Sequence, residues 1–348
     1  MRFHRNISFA VIDALMAIFN EGEYADKVVA RALKLDKRWG SSDRKFVAET
    51  IYDIVRWKRL YAEIAEIKKE PFERDGIWRM FAVWATLKGH TLPDWKYFEG
   101  TPVRKIKGKF DELSKDRKFK ESIPDWMDEI GVKELGEAVW SKEIKAQNEP
   151  AKVILRTNTI NTTKEALKLE LLKLDIHTQA IENYPEALVL DERANVFMTD
   201  AFKNGMFEVQ DASSQMVAHM LDIQPGMRVV DTCAGAGGKT LHMACLMQNK
   251  GQIIAMDLYE SKLKQLKIRA KRNGIHNIEY RVIDTTKVIK KLHGQADRVL
   301  IDAPCSGLGV LKRNPDAKWK LKPEFIDNIR KVQAEVLESY APIVKPGG

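Results

Sequence analysis

The chain has 348 residues, 44% of them hydrophobic and 31% charged, and a formal net charge of +9. A chain of this length holds about two to three domains and buries its core without covalent staples, and three cysteines without a C-x-x-C pair argue against a disulfide framework or a structural zinc site. No apolar run approaches the ~20 residues that cross a bilayer, so the expectation is a soluble, cytoplasmic protein without a membrane partner, and the basic excess leaves either a solvated surface or a polyanion partner.

Residues 1–20 begin basic and then apolar, as a signal peptide does, but Asp13 breaks the stretch and no small-residue cleavage site follows. Ile7, Val11, Ala14 and Ile18 recur at helical spacing, which predicts an amphipathic helix. The chain reads as all-helical to residue 145. In "SSDRKFVAETIYDIVRWKRL" Ser42 can cap, Val47, Ile51 and Ile54 form the apolar stripe, and Arg56 and Arg59 share a face. Seven of the eight tryptophans precede residue 145, where helical spacing makes them core rather than stacking platforms for bases. The basic stretch 104–120 reads as a mobile connection or an exposed helix.

The character changes near residue 150. "AKVILRTNTI" predicts a strand, Thr162 with Glu165 a capping box opening the helix "KEALKLELLKL", and "ALVLD" another strand. This gives a small α/β unit over 150–205. From residue 206 to 348, strands alternate with helices: "MRVVD", "QIIAMD", "IEYRVID" and "DRVLID" are the strands, and Gly274 caps the basic helix after the second. That alternation predicts a multidomain chain ending in a doubly wound, Rossmann-like α/β sheet.

Between the first of these strands and its helix lies "VVDTCAGAGGKT". Cys233, Ala234, Gly235, Ala236, Gly237, Gly238 and Lys239 form a loop whose small residues let backbone approach a ligand, although such turns also occur for packing alone. The spacing matches neither G-x-x-x-x-G-K-[ST] nor G-x-G-x-x-G. Asp231, Asp257, Asp284 and Asp302 each close one of the four strands, at the edge where open sheets bind ligands. Asp257 lies about 20 residues past the loop, where an acid meets ribose hydroxyls. Carboxylates there resist a phosphate-rich cofactor and suit an adenosyl group carrying a cationic sulfonium.

"DAPCSG" (302–307), "KRNPDAKW" (312–319), "CAGAGGKT" (233–240) and "FEVQDASSQMVA" (207–218) together resemble the RsmB/Nop/Sun RNA cytosine-5 methyltransferases. The N-terminal helices resemble their NusB-like domain, and "LRTN" (155–158) their short RNA-binding subdomain. One departure is Gly235-Ala236 where the family has Ala-Pro. The resemblance implies S-adenosylmethionine as cofactor, with Asp257 on the ribose and Asp284 near the adenine, and RNA, ribosomal above all, as substrate. It implies no metal, and a monomer is expected. Amino-group methylation is disfavoured, because it wants Asn/Asp-Pro-Pro-Tyr/Phe where this chain has Asp-Ala-Pro-Cys. The rival of another class is a non-catalytic RNA-binding or assembly protein on the same scaffold.

Cytosine C5 becomes nucleophilic when a thiolate adds to C6; a base then removes the C5 proton and the thiolate leaves. The base must first leave its stack. In the family the attacking thiol sits in a Thr-Cys-Ser a few residues past a Lys-Pro-Gly-Gly turn, whereas the Pro-Cys thiol helps resolve the adduct. This sequence contains "APIVKPGG" but no Thr-Cys-Ser. Cys305, beside Asp302 in the catalytic hexapeptide, is therefore expected to be the helper. The last domain is expected to be incomplete: poorly soluble alone, because its fourth strand would lack an edge partner, and without turnover, because Cys305 would have to serve as the nucleophile from the helper's position. Cys233 reads as a loop-lining residue, Cys245 as packing, and His219 and His242 as structural. Lys239 stays open between a ligand contact and a solvated position.

Overall fold

The computed structural model describes residues 3–348. Its chain forms two compact units: residues up to Ala151 with Ser306–Ile326, and Lys152–Cys305 with Asp327–Gly348.

The first unit is helical. Helices Arg5–Asn20, Ala25–Ala32, Ser41–Arg56, Lys58–Ile64 and Arg74–Leu87 enclose one core, and Ile7, Val11, Ala14 and Ile18 all point into it. Val47, Ile51 and Ile54 are likewise buried. The cap differs from the expected one: the helix starts at Ser41, and Asp43 accepts a hydrogen bond from the Gly40 N–H at 3.1 Å, so Ser42 does not cap. The helix also breaks at Trp57, which separates the two arginines read as one face. Arg56 is buried and donates to the carbonyls of Gln147, Leu311 and Lys312 at 3.2, 3.2 and 2.8 Å. Arg59 donates to the Ile123 carbonyl and to Asp125. Trp39, Trp78 and Trp84 are buried, with Trp78 stacked on Tyr97 at 4.4 Å. Residues 104–120 fall within helices Val103–Leu113 and Arg117–Lys120 and the turn between them.

The "KRNPDAKW" stretch belongs to this unit, and its charges point inward. Lys318 is fully buried, and its ammonium donates to the carbonyls of Arg56, Glu121 and Ser122 and to Asn148 Oδ1, at 3.3, 3.1, 3.1 and 2.6 Å. Burial pushes the Lys318 pKa down. Four oxygens around three N–H donors oppose that, because they stabilise the charged form. Asp316 accepts from the Ala25 N–H at 3.1 Å, in the first turn of the second helix.

The second unit holds two sheets. In the first, β1 (Ile154–Thr157), β2 (Thr178–Ala180), β3 (Ala187–Leu190) and β4 (Phe207–Val209) run in the order β2-β3-β1-β4, antiparallel throughout. With helices Lys164–Leu172 and Asp200–Lys203 between strands, this is the βαββαβ arrangement of ferredoxin-like domains. Thr163, not Thr162, caps the first of these helices, accepting from the Ala166 N–H at 3.2 Å. β4 lies past residue 206, where the sequence reading began the last domain. The second sheet is parallel, with β5 (Arg228–Asp231), β6 (Gln252–Asp257), β7 (Ile278–Val282) and β8 (Arg298–Leu300) in the order β7-β6-β5-β8. Its helices bury Leu241, Met243 and Leu266 on one face, while Ile289, Leu292 and Tyr340 cover the other, which is the doubly wound plan. Val344 adds a single parallel bridge to Ala296.

Lys318→Ala strands four buried acceptors, so it is expected to destabilise the helical unit by about 3 kcal/mol. Urea unfolding followed by tryptophan fluorescence measures this, and an unchanged midpoint would show that water or rearrangement replaces the ammonium.

Candidate cofactor and catalytic cleft

The parallel sheet delivers its strand ends to one edge. β5 and β6 pair with Asp231 opposite Ala255, so Asp257 lies two residues beyond the end of β5, beside the turn that follows it. That turn needs glycine at two places. Gly235 has φ +56°, and its backbone N–H donates to Asp257 Oδ2 at 2.9 Å. Gly237 has φ +88°, and a Cβ there would lie 1.9 Å from Leu266 Cδ1, so no side chain fits. Nothing lies within 4 Å of the Cβ position of Gly235, which leaves that stretch of backbone open to a ligand. The Tyr259 N–H donates to the other Asp257 oxygen at 2.8 Å. Asp257 is buried with each oxygen fixed by one backbone N–H, and each keeps capacity to accept a hydroxyl.

The carbonyls of the same turn are held by arginines. Arg156 of β1 is fully buried and donates to the Gly238 carbonyl and to Gln210 Oε1, both at 2.5 Å. Arg269 donates to the Ala236 carbonyl at 2.6 Å and to Glu208 Oε2 of β4 at 2.9 Å. Arg272 and Asn273 complete the ring of donors on the Glu208 carboxylate. Burial alone would raise the Glu208 carboxyl, but these partners, Arg269 first, hold it low. The ferredoxin-like sheet thus grips the glycine turn from below. Sequence reasoning missed Arg156, Glu208 and Arg269, though the first two lie within motifs it singled out. The available signal was a charged residue mid-strand, where a solvated edge is the ordinary reading.

The row of four acids divides into unlike members. Asp231 and Asp257 end their strands, whereas Asp284 and Asp302 lie two residues past the ends of β7 and β8 and are exposed. Asp231 turns inward: it is 1% exposed and accepts from the Thr240 hydroxyl at 2.7 Å. Burial pushes its carboxyl up to about 7. Lys239 pairs with Asp302 at 2.5 Å, which gives this lysine a partner that sequence left open.

The Ala234 N–H donates to the Met256 carbonyl at 2.9 Å and pins the turn to β6. Cys233 is half-buried among Val230 and Met256, and burial raises its thiol, so it is an unreactive lining residue. Cys245 is buried and donates to Asn158 Oδ1 at 3.2 Å. Cys305 is exposed on the loop beyond β8. His219 and His242, read as structural, both face Glu186.

Residues 218–348 match the family described as 16S rRNA methyltransferase RsmB/F, and residues 123–197 match its ferredoxin-like domain, together more than half of the chain. The chain belongs to the RsmB/Sun-type family. It is 36% identical over 229 residues to a probable ribosomal RNA small subunit methyltransferase B of Synechocystis, covering 65% of this chain and 51% of that protein. The Bacillus subtilis protein of the same description is 34% identical over 228 residues, with the same coverage. The chain therefore spans about half the length of these curated relatives. The crystal structure of PH0851 superposes with a TM-score of 0.82 at 27% identity, over 100% of this chain and 85% of that one. No helix among the described residues is long and apolar enough to cross a membrane. In this RsmB/Sun-type sheet the glycine turn, Asp257 and the Cys305 loop follow strand ends at one edge.

Asp231 gives the fold a pH signature. The folded protein keeps its proton up to pH about 7, whereas the unfolded chain releases it near 3.8. Stability from the protonated carboxyl is therefore full below pH ~4 and lost as pH rises through ~7, up to about 4 kcal/mol in all. Asp231→Asn, which retains an acceptor for Thr240, is expected to flatten denaturation midpoints across that window. An unchanged slope would mean that Asp231 is ionised in the fold.

Proposed function

We propose that this chain binds S-adenosylmethionine in the cleft above β5–β8 and forms part of an enzyme that methylates C5 of cytosine in RNA, with ribosomal RNA as the substrate, the adduct-forming thiol being none of its three cysteines. The observation that carries this reading is Asp257, fixed by the Gly235 and Tyr259 N–H groups beneath a turn with open backbone. S-adenosylmethionine supplies a methyl group on a cationic sulfur. Asp257 accepts the ribose hydroxyls, Asp284 lies toward the adenine, and the backbone of Cys233–Lys239 lines the cofactor. The exposed acids favour the sulfonium and disfavour phosphate.

The Asp302-Ala303-Pro304-Cys305 loop takes the flipped base. Lys239 holds Asp302 in position through their ion pair. Cys305 acts as the helper thiol that resolves the adduct formed by another cysteine. The helical unit takes the NusB-like part and contributes RNA affinity, in keeping with the +9 net charge. A non-catalytic RNA-binding protein on this scaffold would have no use for an ordered carboxylate under the glycine turn.

Calorimetry with S-adenosylmethionine tests the cofactor reading. Binding is expected, and Asp257→Ala is expected to weaken it by about tenfold or more, because two hydrogen bonds to a charged acceptor are lost. No binding would favour the scaffold reading, and equal affinity would remove Asp257 from the site. The role of Cys305 is tested with RNA containing 5-fluorocytosine, in which loss of the C5 proton is blocked. With cofactor present, no Cys305–RNA adduct is expected on denaturing gels or by mass spectrometry. A stable adduct at Cys305 would make it the nucleophile.

A further inference from the structure

Glu186, His219 and His242 come together from three separate elements. Glu186 directly precedes β3, His219 lies in the last turn of helix Ala212–Met220, and His242 lies in helix Gly238–Leu246. Each offers one ligand atom, and these atoms all lie within 4.8 Å of one another. His242 is fully buried, and neither ring nitrogen has a hydrogen-bond partner. Its Nε2 is 3.6 Å from Glu186 Oε2, too long for a hydrogen bond. His219 Nε2 is 2.9 Å from the same oxygen. An unpartnered imidazole in the interior is costly, and something must engage it.

We propose that Glu186, His219 and His242 form a binding site for a divalent transition metal, with Zn2+ the best fit. Ligand atoms about 2.0–2.1 Å from a tetrahedral metal lie roughly 3.4 Å from each other. The separations of 2.9 and 3.6 Å about Glu186 Oε2 bracket that value. Two imidazoles and one carboxylate suit Zn2+ and not Mg2+ or Ca2+, which require oxygen.

The buried Arg156 guanidinium acts electrostatically on His242. The Arg156 charge opposes a second cation, which makes this a weaker site than a thiolate one. The His219 side chain is 27% exposed, so an ion and a water as fourth ligand can enter from its side. An ion there would clamp the helix that follows the glycine turn to the start of β3. The sequence reading expected no metal, because the three ligands are separated by loops and helices and no spacing motif joins them.

The test uses the whole 348-residue chain, freed of metal with a chelator and titrated with Zn2+ by calorimetry and with Co2+ by visible spectroscopy. One equivalent is expected to bind, Co2+ to give the intense bands of a four-coordinate ion, and Zn2+ to raise the thermal midpoint. His219→Ala, at a partly exposed position, and the isosteric Glu186→Gln are each expected to lower Zn2+ affinity by roughly tenfold or more. His177→Ala, an exposed histidine paired with Asp175, serves as the control and is expected to change nothing. Absence of binding, or equal affinity in both ligand variants with a folded far-UV spectrum, would overturn the proposal.

Discussion

A guanidinium cannot be buried without acceptors, and Arg156 is buried completely. Its acceptors are the Gly238 carbonyl and Gln210. That one requirement ties β1 to the glycine turn, and through it to the first turn of the helix on which Thr240 and His242 are carried. Arg269 repeats the device at the Ala236 carbonyl, with Glu208 of β4 as its anion. A turn with two left-handed glycines has little intrinsic stiffness, so its shape is set from outside. The small antiparallel sheet therefore does more than extend the chain: it fixes the backbone of the cleft.

The same network explains what sequence could and could not reveal. Short apolar runs located β5, β6 and β8 within a residue or two, because buried parallel strands leave a continuous apolar record. The ferredoxin-like sheet was half legible. β2 and β4 have three residues each, with exposed or charged members, and neither leaves a periodic trace. Thr163 and Gly40 took the caps in place of Thr162 and Ser42, because cap choice depends on where the chain enters the helix, not on residue type alone. The family motifs "CAGAGGKT" and "DAPCSG" lie at the edge of strand ends that carries the glycine turn and Asp257. They could not distinguish an acid turned inward, Asp231, from one that frames the site, Asp257, since both end a strand after apolar residues.

Charged residues were the main source of error, and for one physical reason. Composition treats lysine and arginine as surface groups, yet Arg56, Arg156 and Lys318 are buried and saturate backbone carbonyls. Lys318 fills a position among carbonyls left by Arg56, Glu121 and Ser122, the ends of separate helical segments. The four terminal carbonyls of each helix need donors, and an ammonium supplies three at once. The motif "KRNPDAKW", which carries the family resemblance, is in part the internal fastening of the helical unit.

Charge also decides what the cleft can hold. Asp231 keeps its proton to about pH 7 and so contributes little negative potential below that. Asp302 is neutralised by Lys239 at 2.5 Å. Asp257 remains as the fixed anion, with both oxygens ordered by N–H groups, while Asp284 is exposed at the rim. A phosphate beside Asp257 would meet a carboxylate with no water between them, at a cost of several kcal/mol for like charges in contact. A neutral sugar would meet only acceptors that it can satisfy. Selection at this edge thus runs through burial of Asp231, the two N–H groups on Asp257 and the Lys239 ion pair on Asp302.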